Sequence, residues 1–294
     1  MALVFLVGCA EEPHQSPLGQ PYIELSPDGA WCWFQDPRAV YVERGNKRIY
    51  FNYIDSEGQL TVSDYDLETS EIRRYVIEKS WDVDDHNVGS FLVRPDNRLM
   101  FFYARHNKRG LFARISKSPG DITDWGERIT ISNTDRITYS HPVLLSDENR
   151  FYVFWRGEDW KPTFATSEDG QVWSDAEILI EDPSNSGNTV RPYLKVATDG
   201  KSTIHFTFTN GHPRNEEHNS IYYVKYQDNG LYKASGEFIA SLRSIPIAPA
   251  NADMVYDGSA PEGRAWNWDI AVDAGGAPAI VYAVFPSARE HQYR

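Results

Sequence analysis

The sequence predicts an all-β chain built as a β-propeller of four-stranded blades. Three observations predict it: a repeat of about fifty residues, hairpin-type turns at a fixed place in each repeat, and strongly aromatic strands with no helical periodicity. Each repeat reads as a polar lead-in, an apolar strand, a turn, and an aromatic strand. The first runs from Asp36-Pro37-Arg38 through Gly45-Asn46 to Ile49-Tyr50-Phe51-Asn52-Tyr53. The second runs from His86-Asn87-Val88 through Pro95-Asp96-Asn97 to Leu99-Met100-Phe101-Phe102-Tyr103. The third runs from His141-Pro142-Val143 through Asp147-Glu148-Asn149 to Phe151-Tyr152-Val153-Phe154-Trp155. The fourth runs from Arg191-Pro192-Tyr193 through Asp199-Gly200 to Ile204-His205-Phe206-Thr207-Phe208.

The turn residues are those that hairpins prefer, because Asn, Asp and Gly tolerate the left-handed backbone such turns require. A fifth unit opens near Trp266-Asn267-Trp268-Asp269-Ile270 and reaches a second strand at Ala279-Ile280-Val281-Tyr282. An open blade exposes a strand edge, so the expectation is a propeller truncated in about its fifth blade, with seven blades in the complete protein. A β-sandwich with long loops leaves the regular repeat unexplained. Ser167-Glu168-Asp169-Gly170-Gln171-Val172-Trp173 resembles the Asp box of such propellers, one residue short between Asp and Trp, and Ser116 to Trp125 is a looser version one blade earlier. These boxes are structural: the Asp caps a turn and the Trp packs between strands.

Residues 1–9 read as a partial lipoprotein signal, because Leu6-Val7-Gly8-Cys9 resembles a bacterial lipobox whose cysteine is acylated. Residues 10–21 then form a tether, and 22–294 the incomplete propeller. The expected location is the cell envelope of a bacterium, with the membrane reached only through a lipid on Cys9. Lipidation of Cys9 leaves Cys32 without an intrachain partner. With 42 acidic against 29 basic side chains and a formal charge of −13, the chain lacks the basic surface that nucleic acid requires. An acidic ligand needs a local cluster of cations instead.

Propeller geometry supplies one. The first two strands of a blade are antiparallel, so the start of the first and the end of the second share a face. That rule gathers His86, His106, Tyr139, His141, Arg156, Arg191, Arg38 and His212 on one face near the axis. Taken singly, each has a structural reading: Arg38 and Arg191 adjoin prolines and can bind carbonyls or Asp36, and His141 can cap its own turn. His205, inside a strand, reads as packing, and so does Trp155, whereas Trp160 is an aromatic candidate near the same face. Five of the eight histidines fall in or near these strand ends, which favours a site.

At these residues the sequence resembles the BNR-repeat, sialidase-like propeller family that includes the propeller-type ulvan lyases. The resemblance spans roughly residues 25–294. It is carried by Trp31-Cys32-Trp33-Phe34-Gln35-Asp36-Pro37-Arg38, Asp85-His86-Asn87, Tyr103-Ala104-Arg105-His106, Thr138-Tyr139-Ser140-His141-Pro142 and Phe154-Trp155-Arg156-Gly157. It implies a polysaccharide lyase that cleaves an acidic, uronate-containing, ulvan-like glycan by β-elimination. His86, His106, Tyr139 and Arg156 would be catalytic; Arg38, His141, Arg191 and Arg214 would bind substrate. Arg156 would neutralise the uronate carboxylate, and His86, His106 and Tyr139 would share the acid and base roles in an order that stays open. No cofactor is required. His212 and His218 are the pair that a structural metal ion would use. Two alternatives stand: a glycoside hydrolase of rhamnosidase or sialidase type, and a non-catalytic glycan-binding lipoprotein. A sialidase gives the histidine pair no role.

Overall fold

The computed structural model describes residues 22–43, 47–183, 190–287 and 289–294. The expected signal segment with Cys9, the tether up to residue 21 and the Gly45-Asn46 turn lie outside the described residues. Five antiparallel sheets follow one another along the chain. The first contains β1 (Ala39–Val42), β2 (Arg48–Ile54), β3 (Leu60–Asp66) and β4 (Ile72–Glu78). The second contains β5 (Gly89–Val93), β6 (Leu99–Ala104), β7 (Leu111–Ile115) and β8 (Ile129–Ser132). The third contains β9 (Thr138–Leu145), β10 (Arg150–Arg156), β11 (Pro162–Ser167) and β12 (Glu177–Ile178).

The fourth sheet departs from the expected four strands. It runs through β13 (Leu194–Thr198), β14 (Thr203–Thr209), β15 (Ile221–Gln227), β16 (Gly230–Tyr232) and β17 (Phe238–Ser241), and β18 (Asp253–Tyr256) pairs with β15 as a sixth strand. A tight turn at Asp228 and Asn229, both at positive φ, pairs β16 with Lys225–Gln227 of β15, and β18 pairs with Ile221–Tyr223 of the same strand. The fifth sheet has three strands, β19 (Ala265–Val272), β20 (Pro278–Ser287) and β21 (Glu290–Tyr293). The molecule is therefore an all-β propeller of five sheets, the last short of four strands, and no described helix is long and apolar enough to cross a membrane.

The turns between the first two strands behave as their residues dictate. In the second, third and fourth sheets, Asn97, Asn149 and Gly200 at the ends of these turns hold φ of 61°, 46° and 71°. The middle strands of the second and third sheets lack polar alternation because these sheets are buried on both faces. Along β6, Phe101 and Tyr103 join the core shared with the first sheet, while Met100 and Phe102 join the core shared with the third. Along β10, Val153 and Trp155 face the second sheet and Tyr152 and Phe154 the fourth. This period of two is the strand pleat. Trp155 is a core residue, and His205 is a buried one whose Nδ1 pairs with Tyr223 Oη at 2.7 Å.

The Ser167–Trp173 turn is held locally: Asp169 Oδ1 accepts from the Gln171 and Val172 N–H groups, and the Trp173 indole donates to the Gly170 carbonyl. Trp33, on the segment leading into β1, stacks on Trp268 at 4.3 Å and meets Trp266 edge-on at 5.1 Å, tying that segment to the fifth sheet. Buried Lys195 on β13 reinforces the tie by pairing with Asp36 and lying 3.9 Å from Asp269. Burial pushes the Cys32 thiol up to about 11, an unreactive core position.

Candidate active site

The site forms where the loop before β5, the end of β6, the start of β9 and the end of β10 meet, as strand-end reasoning predicts. Asp84 starts it. Its carboxylate caps the one-turn 3-10 helix Asp85–Asn87 by accepting from the His86 N–H at 2.9 Å. The same carboxylate meets His86 Nδ1 and His106 Nδ1, each at 2.8 Å, through different oxygens. The two imidazoles stack at 4.2 Å and 8°. Asn87 locks the loop to β6 by accepting the His106 N–H at 2.6 Å and donating to the carbonyls of Trp81 and Asp82.

Burial would raise the Asp84 carboxyl, but the His86 N–H and the two imidazoles outweigh it and hold the group below the ordinary range. An ionised carboxylate only accepts hydrogen bonds, so both Nδ1 atoms carry hydrogen. The Nε2 lone pairs are then the basic ones. That of His106 accepts from the Asn107 amide at 3.0 Å. His86 Nε2 has no protein partner among the described residues. Burial holds His106 below its ordinary value, opposed by Asp84 and aided by His86 and Arg156.

Tyr139 enters through a β-bulge. The pairing of β9 with β10 steps from His141↔Phe154 to Thr138↔Arg156, leaving Tyr139 and Ser140 opposite Trp155. Tyr139 accordingly adopts φ of 63°, a costly conformation for an aromatic residue that re-aims its ring. The ring lies 5.7 Å from that of His86. Burial, then neighbouring Tyr193, raises its phenol far above the ordinary value, so it is a proton donor at neutral pH.

Arg156 lies across Tyr139, its guanidinium carbon 4.8 Å from the ring centre. It donates to Tyr193 Oη, Asn107 Oδ1 and Thr138 Oγ1, each at 3.0 Å. Only 6% exposed, it has no carboxylate within 4.0 Å among the described residues. A buried cation bound only to neutral oxygens is a standing site for an anion.

Among the other residues expected here, His141 is fully buried below Tyr139, its Nδ1 accepting the Asp36 N–H at 3.3 Å. Burial, aided by Lys195 and Arg38, holds its pKa well below the ordinary value, and its place is in the floor rather than the cleft wall. Arg38 points away, donating to the Trp33 carbonyl at 2.6 Å and pairing with Asp36 at 3.3 Å, beside an open groove of about 520 Å³. Arg191 stacks at 3.9 Å on Trp160, whose indole donates to Asn107, so both form the rim. His212 packs on Tyr193 and Trp266, while Arg214 is exposed farther out and lines a separate cavity of about 560 Å³ with His218. Burial, then Arg214, Arg191 and Arg156, brings His212 down to about 4. Among the described residues, Asp84, His86 and His106 gather as three potential metal ligands.

Sequence reasoning missed Asp84, Asn107 and Tyr193. Asp84 precedes the quoted Asp85-His86, Asn107 follows His106, and Tyr193 lies within the quoted Arg191-Pro192-Tyr193. A capping Asp just before a short turn was the available signal for the first; nothing marked the other two.

The fold and its relatives agree. An ulvan lyase, described as a new family of polysaccharide lyase, aligns with a TM-score of 0.70 at 16% identity, over 91% of this chain and 70% of that one. A structure of such a lyase bound to -[GlcA(1-4)Rha3S]- aligns with the same TM-score and identity, over 91% of this chain and 69% of that one. An α-L-arabinanase of Penicillium chrysogenum complexed with arabinobiose aligns with a TM-score of 0.51 at 11% identity, over 90% of this chain and 83% of that one. At these identities the likeness is one of fold. No curated protein matches the sequence. The model of BNR repeat-containing family members matches residues 48–294, and the chain belongs to that family.

Proposed function

We propose that the chain carries the active site of a polysaccharide lyase that cleaves a 4-linked uronate in an acidic, ulvan-like glycan by β-elimination. The observation that carries this reading is the juxtaposition of a carboxylate-free buried Arg156 with a phenol and an Asp84-anchored histidine pair. The relative solved with a glucuronate-containing ligand supports it.

The uronate carboxylate pairs with Arg156, which withdraws charge and acidifies the C5 proton. His86 Nε2, the uncommitted lone pair, takes that proton. The C4–O4 bond breaks as the C4–C5 double bond forms, and the Tyr139 phenol protonates the departing O4. The phenolate left behind lies beside the Arg156 guanidinium and recovers its proton from the His86 imidazolium, which resets the site. Arg191, with Trp160, and His212 border the same cleft and would hold flanking residues of the glycan. Export and anchoring through Cys9 belong to the same proposal, and metabolic labelling with palmitate checks them.

The test is incubation with ulvan and other uronate polysaccharides while following ultraviolet absorbance of the new double bond. A rise that disappears in His86→Ala and Arg156→Ala is the expected result. Reducing ends without absorbance would assign a hydrolase, and binding without either product a glycan-binding module.

A further inference from the structure

The strongest unexplained cluster is the one that anchors the histidines. We infer that Asp84, His86 and His106 form a binding site for a divalent transition-metal ion of the zinc class, and that the ion switches the site off. One ring nitrogen of each histidine and one Asp84 carboxylate oxygen lie within 4.8 Å of one another. Each Nδ1 is 2.8 Å from its oxygen. Ligand atoms around a tetrahedral zinc are about 3.3 Å apart at the usual bond lengths. Opening of the stacked rings, whose Nδ1 atoms both face the Asp84 carboxylate, therefore admits the ion among the three side chains. Asp85, whose carboxylate is 2.6 Å from His86 Nδ1, stands beside them as a fourth oxygen donor. Two imidazoles with a carboxylate select zinc, copper or nickel over calcium and magnesium, which prefer all-oxygen shells. Half-exposure of Asp84, His86 and His106 leaves the ion a path from solvent.

The consequence for turnover rests on the lyase reading; the binding does not. A neutral imidazole has one basic lone pair. When Nδ1 gives it to the metal, the proton that Nδ1 carried resides on Nε2, with no net change in protons. His86 then offers N–H where the elimination needs a lone pair, so the metal-bound protein cannot accept the C5 proton.

Calorimetric titration of the metal-free protein with zinc chloride tests the binding, with cobalt(II) absorbance as a second readout. One site is expected, with visible cobalt bands of a low-coordinate imidazole environment. Asp84→Asn, which preserves the helix cap, and His106→Gln should each weaken zinc at least tenfold with thermal melting unchanged in shape. Equal zinc affinity in both variants, or cobalt bands no different from the aqueous ion, would overturn the site. Zinc binding in a protein without lyase turnover would leave the site standing and remove the lyase reading. Turnover unaffected by saturating zinc would overturn the switch.

Discussion

Replacing Asp84 by Asn separates positioning from chemistry. Asp84 Oδ1 accepts both the His86 N–H and His86 Nδ1, whereas Oδ2 accepts only His106 Nδ1. The amide oxygen of the variant keeps the two bonds at Oδ1, so its NH₂ group faces His106 Nδ1. His106 must then present a lone pair at Nδ1 and a hydrogen at Nε2, directly against the donating Asn107 amide. Asn107 turns over to relieve that conflict, and Arg156 loses its acceptor at Asn107 Oδ1. One charge-assisted hydrogen bond and one matched pair are lost, about 2–4 kcal/mol in all. Applied to the transition state, that is on the order of 30- to 1000-fold in kcat. The substrate carboxylate still finds a charged Arg156, so KM should change by roughly threefold or less. Initial rates by ultraviolet absorbance, with a thermal melt on the same sample, measure both. A kcat within about threefold of the parent protein, in a folded variant, would refute the claim that Asp84 sets the histidine tautomers.

Tyr139→Phe removes the proton donor and leaves Arg156; turnover should fall about 10²- to 10⁴-fold with glycan binding retained, read by rate and by calorimetry. Acid should destabilise the fold. Burial depresses the folded-state pKa of His141, His205 and His212, so below about pH 6.5 the unfolded chain takes up protons that the folded chain refuses. Melting temperature should decline from pH 7 to 4.5, and His141→Asn, which keeps an acceptor for the Asp36 N–H, should flatten the slope. Trp33→Ala removes the stack on Trp268 and should cost about 2–3 kcal/mol, with faster amide exchange in β19; unchanged exchange there would refute the tie between Trp33 and the fifth sheet.

The strands were legible because their residues serve two cores at once, giving aromatic runs such as Phe101-Phe102-Tyr103 that neither a helix nor a one-sided sheet would need. Turns were legible from Asn97, Asn149 and Gly200, whose backbones require the residues found there. Antiparallel geometry put His86, His106, Tyr139 and Arg156 on one face together with His141, Arg191, Arg38 and His212, and the choice of the four came from the family resemblance. Three things did not follow. The bulge that turns Tyr139 depends on pairing with β10, and no local residue signals it. The depth of His141 follows from its place two residues farther along β9 than Tyr139, past the bulge, which puts it in the floor. The two extra strands of the fourth sheet arise where the repeat pattern lapses, between β15 and the end of β18, in a stretch with no counterpart in the other units.

The two-sided burial also governs how a disturbance spreads. Val153 and Phe154 are adjacent on one strand, yet one touches the second sheet and the other the fourth. Trp33 and Lys195 tie the two ends of the series together, and elsewhere cohesion is a sum of contacts between neighbouring sheets. A cavity cut at Val153 loosens the seam beneath the histidine pair, while one cut a single residue later leaves that seam intact and opens the next.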